Sequence, residues 1–82
     1  MTGLTVLVSV TCAPCARALA LARDLAAARP GLAVEVCDVD AAGFRAPPGF
    51  AGTPMFYRGD TVLFYGNPSP GELLAAVDGD LP

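Results

Sequence analysis

The chain has 82 residues, five Lys plus Arg against eight Asp plus Glu, a net charge of −3 and no histidine. That length supports one small domain, spanning 1–82, with little stability to spare. A share of 54% hydrophobic and 16% charged residues excludes a disordered chain. All the cations are arginines, and without a basic stripe nucleic acid is not an expected partner.

Met1-Thr2-Gly3 carries no basic residue, and the apolar run from Leu4 to Val10 is too short for a signal core or a membrane span. The expectation is a cytoplasmic protein with no membrane contact. Three cysteines make a poor disulfide framework, whereas two of them spaced as C-x-x-C beside a strand and a helix suit a cytosolic redox pair.

Leu4-Thr5-Val6-Leu7-Val8-Ser9-Val10 is apolar and β-branched on both parities, the pattern of a central strand covered on two faces. From Cys12 to Arg29 the helix formers Ala, Leu and Arg dominate, and Leu19, Ala22, Leu25 and Ala26 are expected to form its buried stripe, with Arg17 and Asp24 opposite. Pro14 is placed in the first turn, where its missing N–H costs nothing, Arg29 suits the negative end, and Pro30-Gly31 stops the helix. Leu32 to Val39 reads as a second strand, at an edge because of its acidic residues. In the next stretch Pro47-Pro48-Gly49 forbids a long helix, and Phe44 and Phe50 are expected to pin it to the sheet. Pro54-Met55-Phe56-Tyr57 and Thr61 to Tyr65 form a hairpin about a turn at Arg58-Gly59-Asp60. Ser69-Pro70-Gly71-Glu72 is a capping box that opens a last helix ending near Asp78, with Leu73, Leu74 and Val77 inward.

The chemistry is concentrated in Thr11-Cys12-Ala13-Pro14-Cys15, where a strand gives way to a helix. Unpaired N–H groups and the positive end of the dipole stabilise a thiolate at a helix N-terminus, and the first cysteine gains most. The second sulfur lies one turn on, close enough to close or open a disulfide. Cys37, in mid-strand, is expected to be a small buried hydrophobe.

This order of elements, with Cys12-Ala13-Pro14-Cys15, Asp38-Val39-Asp40 and Thr53-Pro54 at their places in it, resembles the thioredoxin superfamily, and the size is similar to the small glutaredoxin-like redoxins. The resemblance covers Leu4 to about Val77. It implies an α/β thioredoxin-like fold with a four-stranded mixed sheet in order 2-1-3-4, helices on both faces and a cis Pro54 facing the cysteines. It implies Cys12 and Cys15 as catalytic residues and Thr53, Pro54, Ala13 and Pro14 as substrate-binding positions. The implied activity is thiol–disulfide exchange with substrate proteins, by a monomer that needs no cofactor or metal and is reset by a reductase or a low-molecular-weight thiol. Val6 stands where thioredoxins have a buried acid, and Gly66-Asn67-Pro68-Ser69 replaces the Gly-Gly-x-Asp run with which glutaredoxins hold glutathione. Two other functions fit the same residues: a metal or iron–sulfur module using Cys12 and Cys15 of two protomers, and a non-catalytic thioredoxin-like adaptor.

Overall fold

The computed structural model describes residues 3–78, so both ends of the expected 1–82 domain, Met1-Thr2 among them, lie outside the described residues. Six elements follow in the order β1 (Leu4–Val8), α1 (Cys15–Ala28), β2 (Val34–Asp38), β3 (Met55–Arg58), β4 (Thr61–Tyr65) and α2 (Pro70–Asp78). The strands form one mixed sheet in the order β2-β1-β3-β4. β1 runs parallel to β2 and antiparallel to β3, and β3 and β4 are antiparallel. The expected α/β architecture and strand order are both present, and the acidic β2 is an edge strand.

β1 is central because both of its faces are apolar and both are covered. Leu4, Val6 and Val8 point into a cluster with Cys15, Ala18, Leu21, Ala22 and Leu25 of α1, Phe56 of β3, and Leu73 and Val77 of α2. Leu7, of opposite parity, joins Met55 and Tyr57 on the other face, where Cys37, Val39, Phe44 and Phe50 pack against them. Both helices therefore lie on one face, and helices on both faces, as the resemblance implied, are not what covers this sheet. The cover of the second face is the irregular segment 40–52, which Pro47, Pro48 and Gly49 keep from becoming helical. The rings of Phe44 and Phe50 meet edge to face at 5.7 Å, the Tyr57 hydroxyl donates to the Pro48 carbonyl at 2.9 Å, and the Ala51 N–H donates to Met55 Sδ at 3.3 Å. The two phenylalanines do pin the segment to the sheet.

Gly59 has φ +62° and occupies the first position of the two-residue turn between Arg58 and Thr61, where a II′ hairpin turn favours glycine. At α2 the capping box is complete: Glu72 Oε1 accepts from the Ser69 N–H at 2.9 Å, and Ser69 Oγ accepts from the Glu72 N–H at 3.1 Å. The far ends of the two helices are tied together, since Arg29 donates from Nε to Asp78 Oδ1 at 2.9 Å and from Nη2 to Oδ2.

Two local expectations for α1 need correction. The helix begins at Cys15 and not at Cys12, with Pro14 as its N-cap residue. Its inward line is Cys15, Ala18, Leu21, Ala22 and Leu25, whereas Leu19 is 41% exposed and Ala26 is exposed. The later start fixes the phase, because positions three, six, seven and ten after Cys15 come round to the face that Cys15 turns inward.

Candidate functional site at the end of β1

After Val8 the chain leaves the sheet and turns twice before α1. The Cys12 N–H donates to the Ser9 carbonyl at 3.2 Å, and the Cys15 N–H donates to the Cys12 carbonyl at 3.2 Å. Cys12 thus sits in a turn just outside the helix, half-buried, while Cys15 is its first residue and is only 2% exposed. The two sulfurs are joined in a disulfide, with Cα atoms 5.3 Å apart. Ala13 and Pro14, between them, are exposed.

The ladder of α1 starts with Ala18 N–H to the Pro14 carbonyl at 3.3 Å, so the N–H groups of Cys15, Ala16 and Arg17 precede it. No side chain caps this end and its first turn has no acidic residue, so no carboxylate of the helix itself offsets the positive end of the dipole. A thiolate formed by opening the disulfide would meet that field. Arg17 is exposed one turn into the helix.

An open groove beside the disulfide is lined by Val8, Ser9, Val10, Cys12, Cys15, Ala16, Leu19 and Asp38. Val10, at 82% exposure, and Leu19 give it apolar walls. Asp38 supplies its acidic edge, with Oδ1 accepting from the Asp40 N–H at 2.8 Å. Ser9 Oγ donates to Asp40 Oδ2 at 2.6 Å, and with its only proton used there it accepts from the Thr11 hydroxyl at 3.1 Å. These bonds tie the turn before Cys12 to the end of β2.

Thr53 and Pro54 reach the same end of the sheet by a different route. Leu7 pairs with Met55, so Pro54 lies beside the end of β1 from which the chain runs to Cys12. The Thr53-Pro54 peptide is cis, as the resemblance implied, and Pro54 is buried. Its carbonyl accepts from the Gly66 N–H at 2.9 Å. The next residue, Asn67, donates from Nδ2 to the Pro14 carbonyl at 3.0 Å. The loop after β4 therefore binds both predicted segments, one through its backbone and the other through a side chain.

Sequence reasoning missed Val10, Ala16, Leu19 and Asn67 as parts of this site. Leu19 was assigned to the core, and a helix start placed after Pro14 would have put it outside. Asn67 left no local signal, because its partner is 53 residues away.

Cys37 stands apart, half-buried on the loop face near Leu7 and Tyr57. Burial pushes its thiol above the ordinary value of 9.0, and the charge and hydrogen bonding of Glu35 add to the rise. No group of three or more His, Cys, Asp or Glu placed to hold a metal ion occurs among the described residues. Among the same residues no helix is long and apolar enough to cross a membrane. The chain matches no protein-family model and no curated protein.

Proposed function

We propose that the chain is a thiol–disulfide oxidoreductase of the thioredoxin-like kind, exchanging its Cys12-Cys15 dithiol with disulfides of substrate proteins. The observation that carries this reading is the unequal placement of two bonded sulfurs at one helix N-terminus, Cys12 half-exposed on an open groove and Cys15 buried. Exposure favours Cys12 for the attack on substrate, and proximity favours Cys15 for the resolving step.

In the reduced protein the Cys12 thiolate attacks one sulfur of a substrate disulfide. The Cys12–substrate bond forms, the substrate S–S bond breaks, and the departing substrate thiolate takes a proton. Cys15 then loses its proton and attacks Cys12 Sγ, which forms the internal disulfide and releases the second substrate thiol. Two electrons pass from the pair to the substrate, with one proton from Cys15 and one from solvent. A reductase or a low-molecular-weight thiol returns them, which suits the reducing cytoplasm. Val10, Leu19, Ala13 and Pro14 offer the substrate an apolar surface beside the reacting sulfur, and Thr53-Pro54 borders the same end of the sheet.

The roles are separated by trapping. Cys15→Ser is expected to accumulate mixed disulfides with substrate proteins, visible by non-reducing electrophoresis and mass spectrometry, and Cys12→Ser is expected to accumulate none. Equal trapping by both variants, or by neither, defeats the assignment. Iron or zinc bound stoichiometrically to protein purified without oxygen would move the pair to a cluster shared by two protomers.

A further inference from the structure

The carbonyl of Pro14 can only accept, so the Asn67 amide faces it with nitrogen, and Oδ1 is turned the other way. That oxygen is buried, with no hydrogen-bond partner among the described residues. A buried orphan acceptor costs at least as much as one neutral hydrogen bond returns. The amide of Asn67 therefore adds little to stability, and its effect falls on the peptide it holds.

That peptide, Pro14–Cys15, is engaged at each polar atom. Its N–H donates to the Cys12 carbonyl, and its C=O accepts from both Ala18 N–H and Asn67 Nδ2. It is also the peptide that opens α1, at an end without a side-chain cap. A donor on the C=O polarises the unit and strengthens the partial positive charge on its N–H, which is bonded to the Cys12 carbonyl. Reduction of the Cys12–Cys15 bond by two electrons and one proton leaves a thiolate on Cys12 and a thiol on Cys15. The polarised helix end favours that anion.

We propose that Asn67 is a positioning residue for the Cys12-Cys15 pair, fixing the Pro14–Cys15 peptide and so favouring the reduced, thiolate-bearing state over the disulfide. The inference rests on the exchange reading only in taking the pair to cycle between disulfide and dithiol. Through Gly66 and Pro54 the same loop fixes the Thr53-Pro54 segment, so one connection sets both sides of the site.

The test uses two variants of the full chain. Asn67→Ala removes the amide, and Asn67→Leu keeps its branched shape, at a larger volume, while removing both the donor and the orphan acceptor. The readouts are the equilibrium of the pair with a glutathione redox buffer, at a pH where wild-type Cys12 is ionised, and the pH profile of Cys12 alkylation by iodoacetamide. Thermal unfolding is the control. Loss of one hydrogen bond's worth of thiolate stabilisation shifts the equilibrium about fivefold toward the disulfide and the alkylation profile about 0.7 pH unit upward. At least the Leu variant is expected to melt close to wild type. Redox readouts unmoved in a folded variant would overturn the proposal, whatever its melting temperature. Unfolding of both variants would overturn it too, by assigning Asn67 to structure. The glutathione equilibrium is measured whether or not protein disulfides are substrates, so failure of the wild type to reduce them sinks the exchange reading and leaves Asn67 to be decided separately.

Discussion

The two faces of the sheet are covered by different means. Among the described residues, eleven buried ones from β1, α1, β3 and α2 form one cluster on the helix face, whereas the loop face has three, Leu7, Met55 and Tyr57, roofed by Phe44, Phe50 and a chain segment without regular structure. An irregular cover suffices where two aromatic rings, one tyrosine hydroxyl bond and one N–H to sulfur contact anchor it. It does not suffice to aim a reacting group. The disulfide grows out of the helix face, with Cys15 itself a member of the larger cluster, while the thiol of the loop face, Cys37, is set back among hydrophobic neighbours. Under the proposed exchange reading the deeply packed side would carry the chemistry, because a helix end is one of the places where a thiolate is favoured.

The sharpest way to break this comparison is to truncate one ring on each face. Phe56 is fully buried in the helix-face cluster, edge to face with Phe64. Phe56→Ala is expected to cost about 3–5 kcal/mol, which for a domain near the lower end of the usual 5–15 kcal/mol leaves a margin of about 0–2 kcal/mol. Phe44, half-buried on the loop face, is expected to cost about 1–2 kcal/mol as Phe44→Ala, leaving a folded protein in which the proposed exchange should persist. Urea midpoints for the two variants decide it. Equal losses would mean that the loop face is a second core rather than a roof.

The same contrast explains what was legible in the sequence. β1, the Gly59-Asp60 turn and the Ser69–Glu72 capping box are written in neighbouring residues, and each is present, although β1 ends at Val8, short of the expected Val10. The phase of α1 was not legible, because Ala18-Leu19-Ala20-Leu21-Ala22 is apolar at every position and marks no face. Only where the helix starts settles that Leu21 goes inward and Leu19 lines the groove. Pro47-Pro48-Gly49 did signal that the second face lacks a long helix, and the resemblance drew the expectation the other way. At the site, the cysteines and Pro54 were legible as motifs, but Asn67 was not. A side-chain amide that bonds a backbone carbonyl across the fold carries no pattern in the sequence around it.

Cys37 sharpens the comparison from the loop side, with a smaller effect. Cys37→Ala is expected to leave exchange unchanged and to alter stability by less than about 1 kcal/mol at neutral pH. A definite direction emerges in alkali. A thiol held above its ordinary 9.0 in the folded state favours folding while protonated, and that contribution is lost as pH rises past the ordinary value toward the raised one. Wild type should therefore lose stability relative to Cys37→Ala on titration above pH 9. Parallel stability curves for the two proteins would show that Cys37 is as well solvated as an exposed thiol.

The smallest effect is expected on the helix face itself, at its surface. Arg29 and Asp78 join the ends of α1 and α2 through two hydrogen bonds, but both side chains are exposed. The hydrogen bond from Arg29 is the main cause holding the Asp78 carboxyl below its ordinary 3.8, partly opposed by desolvation, with the guanidinium charge adding a smaller downward pull. A depressed carboxylate stabilises the fold above its ordinary value, and that contribution disappears as pH falls through the lowered one. Asp78→Asn should therefore lower the urea midpoint slightly at neutral pH, and the difference from wild type should close in strong acid. It should also shrink in molar salt, where charges at the surface are screened within about 3 Å. If Asp78→Asn proved as damaging as Phe44→Ala, the two helices would be held together by their ends rather than by Leu21, Leu25, Leu73 and Val77. The packing that makes the helix face the stronger side argues for the opposite order, since those four side chains are buried and remain in contact when the ion pair is gone.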